Sequence, residues 1–538
     1  MKKITFILIT SLLSLNIFSQ NIFNTKKSKK PALEIKKNTN NEGSLEKENQ
    51  KIEKIKDKKS IIKKDIDSDN YTYRDYKISG EIIGLKDTTV ILAYYFGGKQ
   101  FARDTAFSIN GKFTFQSKKE LKGGMYLVVL PKGRFFDVII SEREFSFKTN
   151  IDNLIGEMSF KNSNENPPFY EYLNFITKKQ NQITPIKNQL QQKDLDSKIK
   201  KQLEANAKKI DEEVKLFRKN YLLMHPDIFF SKIIRATSEP NIPKQSIGDP
   251  ETFPFRYYKK HFWDNVDFSD SRMLRTPVFF SKMDQYLERL TAKQPDSVNK
   301  SADIIVNKAM NNSEIFEYVV SYITSTYERS KIMGMDAVFV HMVENYYIPG
   351  YCNWVDEEQL GKIIERAEKI APNLIGKKAP EFLDALGRPF MKDLSGKIFK
   401  LSDMKSDYTV LAFYGPTCGH CKKEMPKVKN TIDSLQLEGY DITVFAVATE
   451  FDKEEWKKFI DEQKTDKWIN VADINHDDEG NPVASSDWRD KYDIYSTPVV
   501  YLLDENQNII AKRIVHKQIK EIIERRAQAD LDIDSNYK

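Results

Sequence analysis

Between Tyr71 and Asn150 apolar and polar residues alternate with a period of two, which places successive side chains on opposite faces of a strand. The pattern predicts strands over 76–83, 89–96, 112–115, 125–130, 135–140 and 145–147. Gly97-Gly98, Asn110-Gly111 and Gly123-Gly124 stand between these runs. Asn-Gly in that setting is a strong hairpin signal, because both residues tolerate positive φ. The expectation for 71–152 is a small antiparallel β-sandwich or barrel with Phe113, Phe115, Tyr126 and Phe136 in its core. No acid pair or metal-ligand cluster appears in this stretch of sequence.

The period then lengthens. From 153 to 372 apolar residues recur at helical spacing, as at Leu203, Ile210, Val214 and Phe217. This predicts an all-α middle domain. A helical hairpin occupies 169–217, with Thr184-Pro185 as its break, and helices follow at 227–237, 278–290, 296–309, 313–329, 336–346 and 357–369. The Pro-rich, polar stretch 238–255 reads as a loop. The aromatic cluster Phe255, Tyr257, Tyr258, Phe262 and Trp263 is expected in the core.

After Ala371-Pro372 the pattern becomes α/β. Continuous apolar runs at 408–414, 442–448 and 499–503 have the composition of buried strands, and a fourth strand is expected at 509–515. Helices are expected at 418–435, 452–463 and 517–527, and a hairpin at 386–402 leads in. The chain is therefore multidomain, with an α/β domain over 373–538.

Length and composition agree with this division. A chain of 538 residues exceeds what one hydrophobic core supports. The net charge of +7 is a small surplus over 85 basic and 78 acidic residues, with no Arg-rich face, so nucleic acid is not an expected partner. Lys2 and Lys3 precede an apolar run from 4 to 18, and Ile17 and Ser19 suit a signal-peptidase site. Residues 1–19 read as a signal peptide too short to span a bilayer comfortably. Residues 20–70, rich in Lys, Asn and Glu, read as a flexible charged linker. The expected location is the periplasm or cell envelope.

Only three cysteines occur: Cys352, Cys418 and Cys421. An exported protein that relied on disulfides for stability would carry more, so the close pair points to chemistry. Cys352 reads as a buried structural thiol. Cys418 falls at the start of a predicted helix, where unpaired N–H groups and the helix dipole favour negative charge. A thiolate there is the nucleophile. Cys421, three residues on and on the same helical face, is within bridging distance and turned inward. Cys418 attacks a disulfide, and Cys421 resolves the mixed disulfide and leaves a Cys418–Cys421 bond. Gly419 and His420 lie between them and tune the pair, the imidazole of His420 favouring the thiolate. Zinc would need two further ligands, which no second C-x-x-C or paired His supplies, so no metal and no cofactor are expected.

Strand, C-x-x-C, helix, strand, helix and a Thr-Pro before a strand is thioredoxin order. The run Cys418-Gly-His-Cys-Lys-Lys-Glu-Met-Pro426 resembles the TlpA/ResA class of exported thioredoxins, while Cys-Gly-His-Cys is also the protein disulfide isomerase type. The upstream blocks resemble a β-domain of unknown function and a helical domain that precede such redoxin domains. The resemblance implies that Glu424 is a buried acid/base beside Cys421. It also implies that Pro498 is cis and that Thr497 presents its backbone to a substrate strand. The acidic loop at 473–480 lacks calcium-loop spacing and reads as solvated surface. The expected activity is reduction of protein disulfides, with disulfide-bearing client proteins and an electron donor as partners. A cell-envelope binding protein with an accessory redox domain and a thiol peroxidase are the competing readings.

Overall fold

The computed structural model describes residues 72–536 except 74, 193–194, 244–250, 451 and 476–483. The expected signal peptide, the whole of the expected charged linker at 20–70, and much of the acidic loop lie outside the described residues. Contacts gather the chain into two compact units. One holds the described residues up to Ala292 together with Ser301–Val319, and the other holds Lys293–Lys300 with Val320–Lys538.

In the first unit ten strands form: β1 (Thr72–Tyr73), β2 (Tyr76–Ile83), β3 (Thr88–Phe96), β4 (Lys99–Ser108), β5 (Lys112–Ser117), β6 (Leu121–Lys122), β7 (Gly124–Val129), β8 (Phe135–Ile140), β9 (Glu144–Asn150) and β10 (Ser159–Lys161). Eight of them make two four-stranded sheets, ordered β10-β9-β2-β5 and β4-β3-β7-β8, while β1 and β6 pair separately. Side chains from both larger sheets share one core, including Ile78, Phe115 and Phe147 from one and Val90, Tyr126 and Phe136 from the other. This is a sandwich. Phe147 meets Phe113 and Phe136 edge to face at 5.9 and 5.4 Å between centroids, a favoured aromatic geometry.

Two expectations need correction here. The sandwich is not wholly antiparallel, because β2 and β9 pair in parallel, the intervening strands forming the crossover a parallel pair requires. Strand β4 was also not expected. It is an edge strand whose burial pattern hardly alternates, so period two is faint in its sequence. Asn110-Gly111 does turn the chain between β4 and β5, with φ of 52° and 78°.

The first unit continues in helices α1 (Asn166–Leu190), α2 (Ser197–Met224), α3 (Phe229–Ala236), α4 (Phe253–Lys260), α5 (Pro277–Asp284), α6 (Pro295–Ala309) and α7 (Ser313–Glu328), the last two shared with the second unit. Pro185 does not break the first helix. It lies inside α1, and the turn comes after Leu190. Asp196 then starts α2, its carboxylate accepting from the N–H groups of Lys198 and Ile199 at 2.9 and 3.1 Å. The expected loop gives way to helix at Phe253, and α5 runs on through a π-helical turn, Gln285–Arg289. Phe262 and Trp263 are buried as expected, whereas Phe255 is half exposed.

The second unit adds α8 (Asp336–Met342), a π-helical turn Val343–Tyr347 and α9 (Glu357–Ile370) to the α/β domain. Cys352 is buried, donates to the Tyr346 carbonyl at 3.4 Å, and is pushed up in pKa by that burial, as an unreactive packing thiol should be. The α/β domain contains β11 (Tyr408–Tyr414), α10 (Gly419–Leu437), β12 (Ile442–Ala448), α11 (Lys453–Gln463), β13 (Ile469–Ala472), α12 (Trp488–Lys491), β14 (Val499–Leu503), β15 (Ile509–Lys512) and α13 (His516–Asn536). Its sheet order is β13-β12-β11-β14-β15. The pairs β11–β12 and β12–β13 are parallel, and β14 joins antiparallel.

Strand β11 shows why this sheet is covered on both faces. Val410, Ala412 and Tyr414 point into one core with Met425, Val428, Ile432, Trp456 and Ile519 from the helices. Leu411 and Phe413 point into another with Phe382, Phe445, Trp488 and Tyr501. A strand buried on both sides reads as a continuous apolar run. The short β13 was not expected, because four residues carry too little pattern. The lead-in hairpin reduces to single bridges at Leu383–Pro389 and Lys392–Ile398.

Phe413 is fully buried, with Tyr492 and Trp488 at 4.9 and 5.7 Å between centroids. Phe413→Ala leaves a cavity there and should destabilise the C-terminal unit by about 3–5 kcal/mol. The check is a urea titration, in which that unit's transition moves to lower denaturant.

Candidate active site

Strand β11 ends at Tyr414, and Gly415-Pro416-Thr417 turns the chain into α10. Cys418 is the N-cap, with extended backbone (φ −67°, ψ 117°), and its sulfur accepts from the Cys421 N–H at 3.4 Å. The thiol thus occupies the place of an N-cap side chain, where it satisfies one of the helix's free donors. Cys421 is fully buried, and its sulfur accepts from the Gly415 N–H at 3.4 Å. Both are thiols in this structure. The Thr497-Pro498 bond is cis, and the Thr497 carbonyl accepts from the Cys418 thiol at 3.5 Å.

The two sulfurs differ electrostatically. Burial pushes Cys418 upward, but hydrogen bonds from the Cys421 and Thr497 side chains and from the Cys421 and His420 N–H groups outweigh it, so its pKa lies below the ordinary thiol value. Cys421 is pushed up to about 12, first by burial and then by its hydrogen bond to Cys418. One thiol is prepared to ionise and the other to stay protonated, as nucleophilic and resolving roles require.

The remaining expected residues fall unevenly. His420 is exposed, and it acts on the Cys418 sulfur through its backbone N–H. Gly419 leaves the helix tip open, since a Cβ there would meet nothing within 4 Å. Thr497 and Pro498 are half-buried and stand at the dithiol. Glu424 needs correction. Its side chain is one-third exposed rather than buried, and it pairs with Lys427 at 2.6 Å and lies 3.5 Å from His516. Its bond to Lys427 holds its carboxyl below the ordinary range. Glu424 is on the helix face that the i,i+3 pair to Lys427 defines, and the groups acting on Cys421 are Cys418, Thr497 and Gly415.

Another carboxylate reaches the dithiol turn instead. Glu450 accepts from the Thr417 hydroxyl at 2.6 Å. A Cβ built on Gly415 would come within 2.9 Å of the Glu450 carboxylate and 3.2 Å of the Cys418 Cβ, so a side chain there would push Glu450 aside. Reading the sequence did not single out Glu450. The available signal was its place two residues past β12, at the carboxyl end of a buried parallel strand, where α/β sheets carry their sites.

Residues 375–518 match the AhpC/TSA family, residues 178–373 a domain of unknown function (DUF5106), and residues 76–191 another (DUF4369). The chain is 29% identical over 152 residues to the thiol-disulfide oxidoreductase ResA of Bacillus cereus, covering 28% of this chain and 75% of the relative. Among solved structures, a thioredoxin-like protein from Bacteroides caccae aligns at 20% identity and TM-score 0.39, over 53% of this chain and 96% of that one. A domain of a possible thiol-disulfide isomerase from Cytophaga hutchinsonii aligns at 36% identity and TM-score 0.25, over 31% and 99%.

The asymmetry of the two thiols gives a direct prediction. A lowered pKa means more thiolate at a given pH, so iodoacetamide should label Cys418 with a midpoint below that of a free thiol. A raised pKa means the reverse, so Cys421 in the folded protein should resist labelling until well above neutral pH. Mass spectrometry of quenched time points separates the two sites. The same shifts act on stability with opposite sign. The Cys418 contribution is present above the unfolded thiol's pKa and is lost as pH falls through the folded value. The Cys421 contribution is present below the unfolded value and fades as pH rises toward about 12.

Proposed function

We propose that this chain, whose C-terminal domain is a thioredoxin-like domain of the AhpC/TSA family and of the thiol–disulfide oxidoreductases, is an exported reductase of protein disulfides. The observation that carries the reading is the Cys418 sulfur at a helix N-terminus, facing both Cys421 and the Thr497 carbonyl. In the first step the Cys418 thiolate attacks one sulfur of a client disulfide. That S–S bond breaks, a mixed disulfide forms, and the other client sulfur leaves as a thiolate. Cys421 then loses its proton and attacks the Cys418 sulfur. A Cys418–Cys421 bond forms, the second client thiolate leaves, and two electrons have passed to the client. A dithiol donor must reduce the pair again, which makes an electron-donating partner part of the proposal.

The deprotonation of Cys421 needs a base, because its thiol is held near 12. Glu424 is the residue the family resemblance points to, but its carboxylate is bonded to Lys427 and beside His516. Glu450 is exposed but bonded to the turn that carries the dithiol, and this supports assigning the proton to Glu450 through an intervening water. The Thr497 backbone is assigned to pairing with the client strand beside Pro498. Export and residence in the periplasm or cell envelope rest on the reading of residues 1–19. Among the described residues no helix is long and apolar enough to cross a membrane.

Trapping, reduction and rapid-kinetics measurements check this function. Full-length Cys421→Ser should accumulate mixed disulfides with exported client proteins, and Cys418→Ser should trap none and reduce insulin no faster than background. Failure of Cys421→Ser to trap any client, with peroxide consumed by the wild-type protein, would favour the peroxidase reading. In stopped-flow experiments Glu450→Gln should slow resolution about 10²-fold or more while initial attack changes little, as loss of a general base does. Glu424→Gln should leave both steps near wild type.

A further inference from the structure

The segment carrying Thr497 and Pro498 is held from outside the stretch that the AhpC/TSA family match covers. Arg366, on α9, lies before residue 375, where that match begins. Its guanidinium bonds both oxygens of the Asp493 carboxylate, which also accepts from Arg513. The Asp493 carboxylate is 7% exposed, and its backbone is left-handed (φ 51°). The buried carboxylate is compensated by two guanidiniums that reach out to solvent, and the arrangement ties α9, the Asp493 turn and the segment after β15 into one unit. Lys369 pairs with Asp490 at 3.4 Å, and Asn373 donates to the Lys491 carbonyl at 2.9 Å. Lys512, 6% exposed, donates to Asn373 at 2.8 Å and pairs with Asp336 on α8.

Immediately after this anchor the chain presents Tyr495. Its side chain is 64% exposed, unusual for an aromatic residue two positions from the carbonyl that meets the reactive thiol. The Arg366 guanidinium carbon lies 5.7 Å from the ring centroid, a cation–π distance that fixes the ring from one side and leaves most of it open. Two residues of chain span at most about 7 Å, so the Tyr495 backbone lies within that distance of Thr497.

We propose that Tyr495, positioned by Arg366 and Asp493, is a client-binding platform that receives an apolar or aromatic side chain flanking the client's cysteine. The α9 helix thereby contributes to selecting polypeptide disulfides over small ones. This deepens the reductase reading and rests on it. Tyr495 would touch the client, whereas Arg366 is a positioning residue acting through Tyr495 and Asp493.

The test uses the full-length protein with two disulfides: insulin, a polypeptide, and L-cystine, which has no chain around its sulfurs. The ratio of KM for insulin to KM for cystine should rise about tenfold in Tyr495→Ala and in Arg366→Ala, with the change in KM rather than kcat, the pattern of lost binding energy. Arg366→Lys should fall between wild type and Arg366→Ala, because an ammonium keeps the charge but loses the fork. Tyr495→Ala removes an exposed side chain and decides the matter should Arg366→Ala fold poorly. An unchanged ratio in Tyr495→Ala, or an equal rise for both substrates, overturns the platform. A wild-type protein that reduces neither disulfide would instead overturn the reductase reading itself.

Discussion

The chemistry of this protein depends on one contact: the Cys418 sulfur sits where a helix begins and accepts the N–H of Cys421. The donors at a helix start have no partner within the helix, and a sulfur that carries negative charge satisfies them better than a neutral one. That contact requires α10 to begin directly beyond the carboxyl end of β11, after a turn of three residues. The glycine at 415 leaves room in that turn for the Glu450 carboxylate beside the Cys418 Cβ. The site is therefore a consequence of how strand, turn and helix join.

The difference between the two thiols follows from the same geometry. Cys418 lies at the rim, where hydrogen bonds to its charged form outweigh partial burial. One helical turn along, Cys421 faces the core formed by β11, α10 and α13, where burial dominates. Two identical side chains acquire opposite tendencies because they lie on opposite sides of the solvent boundary. The continuous apolar run of β11 makes that boundary sharp, since its alternate residues fill two separate cores.

The charged network around Asp493 extends the redox domain beyond its own sheet. Arg366, Asp336, Lys369 and Asn373 come from the segment before residue 375, while Asp493, Lys512 and Arg513 come from the α/β domain. Ion pairs that are buried and hydrogen-bonded fix geometry more than they add stability, because desolvation offsets most of their attraction. The second unit accordingly takes in Lys293–Lys300 and the chain from Val320, within α7, rather than starting at the change of sequence pattern after Pro372.

Much of this was legible along the chain. Period-two alternation located most strands of the sandwich. Continuous apolar runs located β11, β12 and β14, and the Cys-Gly-His-Cys spacing located the dithiol, because these features depend only on neighbours in sequence. Strand β4 escaped because an edge strand buries too little to impose alternation, and Pro185 misled because it lies inside α1, within the last turns before Leu190. What only the tertiary structure decided was which charges meet. Glu424 came beside His516, Glu450 came to the dithiol turn from a neighbouring strand end, and Arg366 reached Asp493 across 127 residues. Covalent order and local propensity determine elements. The pairing of ionised side chains is determined by where packed elements bring their ends together, and no local pattern encodes that.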